Sequence, residues 1–111
     1  MLNAMKHAAW LVFLVAALLE VCGDALIRKG LQVRGAIFVA AGFLILGTYG
    51  IVVNTVKWDF SRLLGVYVAV FATASVLFGR YVFQETVPPA TWIGLAVIIA
   101  GGLIIQFGSA L

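Results

Sequence analysis

This 111-residue sequence is poor in the side chains that build soluble active sites. It has one cysteine, one histidine and four carboxylates. A lone Cys22 excludes an internal disulfide and a cysteine-based metal centre. The single His7 stands at the N-terminal edge, away from any candidate nucleophile, and no glycine-rich phosphate loop opens a helix. The chain therefore reads as something other than an enzyme, with no cofactor. Charge is also scarce. Only 10% of residues are charged, against about 25% in an ordinary soluble domain. The net charge of +3 forms no basic stripe, because the Lys and Arg residues are scattered between apolar segments, which excludes a nucleic-acid surface. Proline is confined to Pro88–Pro89.

Apolar residues are what remains. They make up 65% of the chain, and a chain this short cannot hide that much in its own core. The implied solvent is lipid. A membrane helix needs about 20 mostly apolar residues. Four such runs are present, at about 8–27, 35–56, 63–83 and 88–108. None alternates apolar and polar residues as a barrel strand would. The Pro88–Pro89 pair suits the first turn of the fourth helix, where a missing N–H costs nothing. The connectors are short, so neighbouring helices run antiparallel. The expectation is an all-α, multi-pass, four-helix membrane bundle, one domain over 1–111. The first run also has the outline of a signal peptide, with Lys6 ahead of it, but Glu-Val-Cys-Gly follows where a small-residue cleavage pattern would stand.

Lys and Arg orient short-looped membrane proteins. Lys6, Lys57 and Arg62 fall on one side; Arg28, Lys29, Arg34 and Arg80 fall on the other. That near balance leaves two readings: insertion both ways, which permits an antiparallel homodimer, or a first loop held in the cytoplasm.

The first span ends in LLEVCGDALIRKG, with Glu20 and Asp24 four residues apart and so on one helix face. Ala16, Ala17 and Gly23 share that face, with Phe13 further back, while Leu14, Leu18 and Val21 are expected to meet lipid. A charge in the membrane costs a few kcal/mol, about 2.5–3.5 on insertion scales. Desolvation disfavours the ionised acid, and an arriving cation favours it. A carboxyl placed so can hold a proton or a cation in turn, which is the core of exchange transport. The plainer reading is a protonated Glu20 hydrogen-bonded to another helix, worth about 0.6–2 kcal/mol. Asp24 either shares the ligand site or pairs with Arg28 one turn on.

These residues resemble the first helix of the small multidrug resistance family: a mid-helix Glu, a hydrophobic residue after it, a Gly three positions on, and a basic residue two turns further. Length, four spans, short loops and the fourth span, WIGLAVIIAGGLIIQFG, are similar as well. The resemblance covers nearly the whole chain. It implies an antiparallel dimer in the inner membrane, two Glu20 residues facing one cavity, and proton-coupled export of hydrophobic or guanidinium-type cations by alternating access. The third span departs from the typical exporters, which carry a Tyr and a Trp-Ser-Gly cluster there. LLGVYVAVFATAS has no Trp, and Tyr67 falls close to, but not on, the expected position. That span is closer to a sister group of the same superfamily, with a Gly-Val-Tyr-Val run between two arginines, here Arg62 and Arg80. A third branch, flippase subunits for lipid-linked aminosugars, is less similar around Glu20. A lipid-linked sugar flippase subunit and a non-transporting partner of a larger membrane protein are the alternatives to the exporter, and a heterodimer with a paralogue is the alternative to the homodimer.

Other candidates follow from position. Tyr67 and Phe71 share a face of the third span and can stack on a cation or bond the Glu, or simply pack. Tyr49 can face the cavity from the second span. Thr73 and Ser75 are read as helix–helix hydrogen-bonders, Asn54 as a boundary residue, and Trp10, Trp58 and Trp92 as an interfacial belt. Gly94 and Gly101 are two turns apart with Ile98 between them, and Gly102 adjoins. Small residues let helices approach closely, so Gly94, Ile98, Gly101 and Gly102 are read as the dimer contact. Gly35, Gly42, Gly47 and Gly50 on the second span are read as a cavity wall or a bend.

Overall fold

The computed structural model describes residues 2–108, with side chains from residue 8 onward, so the side chains of Lys6 and His7 lie outside the described residues. Four helices are present: α1 (Leu2–Val33), α2 (Ala36–Val53), α3 (Phe60–Tyr81) and α4 (Pro89–Phe107). All four contain a stretch long and apolar enough to cross a membrane. No strand occurs among the described residues. The chain is thus an all-helical, four-span membrane protein, and its environment is a lipid bilayer.

The ends of the helices have local causes. The sequence places the first boundary near residue 27, but α1 runs on to Val33. Nothing in Arg28–Lys29–Gly30–Leu31–Gln32 breaks a helix, and long basic side chains can leave the apolar zone while their stems stay in it. At about 1.5 Å per residue, α1 is about 48 Å long, well beyond a hydrocarbon core of about 30 Å. It stops where Arg34 takes a left-handed φ of 54°. The Gly35 N–H then donates to the Gly30 carbonyl at 2.9 Å, closing a Schellman turn, and Gly35 serves as N-cap of α2. At the other end of α2, Asn54 takes the C-cap and its side-chain amide donates to the Gly50 carbonyl, so the helix ends three residues before the expected limit. Pro88 caps α4 and Pro89 begins it, as the proline rule requires.

The sequence is read as one four-helix domain; the compact units found inside that range are two helical hairpins, Met1–Val56 and Lys57–Leu111. In the first, α1 presents a buried stripe of Ala9, Phe13, Ala16, Ala17, Val21, Gly23 and Gly30. Leu14 and Leu18 face outward as expected, but Val21 does not. It is only 7% exposed, because residue 21 falls one turn after the fully buried Ala17 on the same stripe. On α2, Ile37, Leu44 and Ile51 are 74%, 75% and 73% exposed and stand seven residues apart, a continuous apolar ridge that α1 leaves open. Such a ridge is acceptable only where lipid replaces water. In the second hairpin the buried residues are Leu63, Val66, Tyr67 and Gly79 of α3, with Leu95 and Gly102 of α4.

Candidate functional site

Glycine sets the distance between α1 and α2. A Cβ built on Gly23 would lie 2.8 Å from Leu46 Cγ and 3.2 Å from the Gly42 carbonyl oxygen. One built on Gly42 would lie 2.8 Å from the Gly23 oxygen and would overlap Ile27. A Cβ on Gly30 would meet Val39 and the Gly35 carbonyl. The two backbones therefore touch at a Gly23–Gly42 crossing and stay close to the turn. This is small-residue packing of the kind membrane helices use. It also fixes what the glycines of α2 do. The helix continues unbroken through Gly42, Gly47 and Gly50. Gly42 is a contact with α1, not a bend, whereas Gly47 and Gly50 have open space beyond their Cα atoms.

The acids bracket that crossing. Glu20 lies one turn before Gly23 and is half-buried; Asp24 follows Gly23 directly and is exposed. One turn beyond Leu46 on the antiparallel helix comes Tyr49, half-buried. Its hydroxyl lies within electrostatic reach of both Glu20 and Asp24. Three of the residues singled out by the sequence thus belong to one hairpin and act on one another electrostatically. The charge of Asp24 acts across the hairpin on Tyr49. Arg28 is exposed on the same helix, and Lys29 turns to the ring of Phe38, its ammonium 4.7 Å from the centroid. A phenol in the same hairpin as two carboxyls adds a hydroxyl donor and an aromatic ring face to the polar groups near the crossing.

Tyr67 and Phe71 belong to the second hairpin. Tyr67 is 3% exposed, and the two rings stack with centroids 6.3 Å apart and planes inclined by 25°. Thr73 and Ser75 do not bridge helices with their hydroxyl protons: each donates to a carbonyl of its own helix, Ala69 at 2.7 Å and Phe71 at 2.8 Å. That back-bonding is the common fate of such hydroxyls inside a helix. The glycines of α4 separate. Gly94 and Gly101 have open space, and Ile98 between them is 40% exposed, so α3 leaves this face of α4 open. Gly102 points elsewhere. It is buried against α3, where an added Cβ would lie 2.8 Å from Ala69 Cβ. The 100° step between neighbouring helical residues is the reason: Gly101 and Gly102 cannot share one face.

A contact the sequence gave no reason to single out holds α3 to α4. Arg62 donates from Nε and Nη2 to Gln106 Oε1 at 3.1 and 3.0 Å, and its guanidinium lies 4.2 Å from the centre of the Trp58 ring. Trp58, read as a belt residue, is therefore the floor of this clamp. The pair is 44 residues apart in sequence, so no local pattern could have signalled it.

Residues 7–110 match the family model described as "Uncharacterised BCR, YnfA/UPF0060 family". Among similar proteins is a UPF0060 membrane protein of Streptomyces coelicolor, 39% identical over 103 residues, 90% of this chain and 85% of that one. A UPF0060 membrane protein of Mycolicibacterium vanbaalenii is 39% identical over 99 residues, covering 85% and 90%. Another, from Rhodococcus jostii, is 35% identical over 102 residues, covering 89% and 86%. No solved structure matches. The family matched is UPF0060, and the small multidrug resistance family stands as a resemblance.

Proposed function

The chain belongs to the YnfA/UPF0060 family of membrane proteins, and from that premise we propose that it is a proton-coupled exporter of small organic cations in the inner membrane. The observation that supports this reading is the placement of Glu20, half-buried in an apolar helix, with Tyr49 in electrostatic reach of it and of Asp24. Ionisable groups inside a membrane are costly and mark ion or substrate paths. In this reading Glu20 holds a proton until a cation displaces it. Asp24, exposed near the same crossing, draws the cation in. Tyr49 bonds whichever carboxyl is protonated and gives the cargo a ring face. The protein makes and breaks no covalent bond in its cargo.

The working unit in this proposal is an antiparallel homodimer. Its contact is the face of α4 that α3 leaves open at Gly94, Ile98 and Gly101, with Gly102 kept for the α3 contact. Gly101→Leu is expected to give a monomer in detergent, read as molecular mass by light scattering.

The test of transport is charge movement in liposomes holding purified protein, driven by a panel of organic cations. Wild-type current that disappears in Glu20→Gln, with the dimer intact, is the expected result. Equal current in the two proteins would remove Glu20 from the mechanism, and a silent, folded wild type would end the exporter reading.

A further inference from the structure

The α3–α4 connection folds back on α3 and forms a cleft of about 230 Å³. Ser75, Val76, Glu85, Thr86, Pro88 and Thr91 are among its walls. Two features hold the acid in place there. Gln84 adopts a left-handed φ of 57°, a strained choice for a residue with a side chain, and so reverses the chain. The Glu85 N–H then donates to the Gly79 carbonyl at 2.9 Å. The Glu85 carboxylate lies over Gly79 so closely that a Cβ at 79 would collide with Oε1. A glycine at 79 is what allows this approach.

We infer that this cleft binds a primary ammonium group, the end of a small amine or of an aminophospholipid. The polar wall offers acceptors. Glu85 contributes carboxyl oxygens, and the Ser75 hydroxyl has committed its proton to the Phe71 carbonyl, which leaves Ser75 an oxygen lone pair to give. The hydroxyls of Thr86 and Thr91 can accept as well. A ligand with one positive charge and several N–H donors fits that set, and the side of Val76 and Pro88 suits a short carbon chain. A quaternary ammonium satisfies the charge but not the acceptors. The cleft lies in the connection between two spans, the depth at which lipid headgroups sit. Free amine and lipid headgroup thus share one chemistry here. The site is built wholly within the α3–α4 hairpin, uses no residue of the transport proposal and does not depend on it.

The test is amide NMR of the isotope-labelled, full-length protein titrated with ethylammonium chloride in detergent. Saturable shifts at Glu85, Thr86 and Thr91 are expected, with binding about tenfold weaker in Glu85→Gln, as loss of one charge-assisted hydrogen bond implies. Gly79→Ala, which displaces the carboxylate without removing it, is expected to weaken binding too. The same shifts should persist in Glu20→Gln, which separates this site from the transport proposal. Nanodiscs then tell the sources apart. If phosphatidylethanolamine blocks the ethylammonium shifts and phosphatidylcholine does not, the natural ligand is the lipid; if neither blocks them, it is a free amine. Unsaturable shifts, equal affinity in Glu85→Gln, or tetramethylammonium binding as tightly as ethylammonium would each overturn the assignment.

Discussion

The α1–α2 hairpin is closed largely by backbone, the α3–α4 hairpin largely by side chains. In the first, Gly23, Gly42 and Gly30 leave the helices so close that carbonyl oxygens stand where a Cβ would go. In the second, Arg62 reaches Gln106, and Ile105 fills the space over Gly65. The difference shows where a membrane protein can keep an acid. At the crossing the glycines take side chains of the facing helix, Leu46 over Gly23 and Ile27 over Gly42, while Glu20 and Asp24 stand one turn before and directly after Gly23 without filling the contact. The helices of the α3–α4 hairpin contain no Asp or Glu, and their charged residues, Arg62 and Arg80, stand near the ends of α3.

The comparison can be broken in graded ways. Glu20→Gln is expected to have the largest effect, reducing coupled cation current in liposomes to that of protein-free vesicles while leaving helix content by circular dichroism unchanged. Next comes Gly23→Leu. Overpacking a rigid crossing costs about 1–3 kcal/mol, sometimes more, seen as a lower unfolding midpoint in detergent. Gly47→Leu on the open side of α2 should stay within about 0.5 kcal/mol of wild type. Equal effects at the two positions would show that the hairpin is not closed at Gly23. In the other hairpin, Gln106→Ala is expected to cost about 1–2 kcal/mol, since it leaves Arg62 without its acceptor. A double-mutant cycle with Arg62→Ala should show that most of this loss is shared. Tyr49→Phe keeps the ring and removes the hydroxyl. It should lower current about fivefold, the equivalent of ~1 kcal/mol, with no change in fold. The smallest effect is at the turn, where Arg34→Gly should raise stability by about 1 kcal/mol by relieving the left-handed φ.

The sequence carried most of the fold. Apolar runs of membrane length, short connectors and a Pro–Pro helix start leave few arrangements other than four spans. Boundaries were less legible. Arg28 and Lys29 look like the end of a span, but charge ends the apolar zone and not the helix. Glu20 and Asp24 stood out because acids in an apolar run are conspicuous. Gly42 did not declare its role, because a glycine's contact depends on what lies opposite. The same holds for Gly102, whose neighbour Gly101 faces another way.

What the sequence determined by itself is the solvent: a chain with this much apolar surface and so little charge has to fold in lipid, and its helices follow from satisfying their own backbone there. Only the tertiary structure decided who meets whom. Tyr49 joins Glu20 and Asp24 because a glycine crossing sets the register of two helices, and Arg62 finds Gln106 because α3 and α4 pack antiparallel. These pairings join residues 25 to 44 positions apart in sequence. Local propensity acts within a few residues, so contacts of that range are fixed by packing alone.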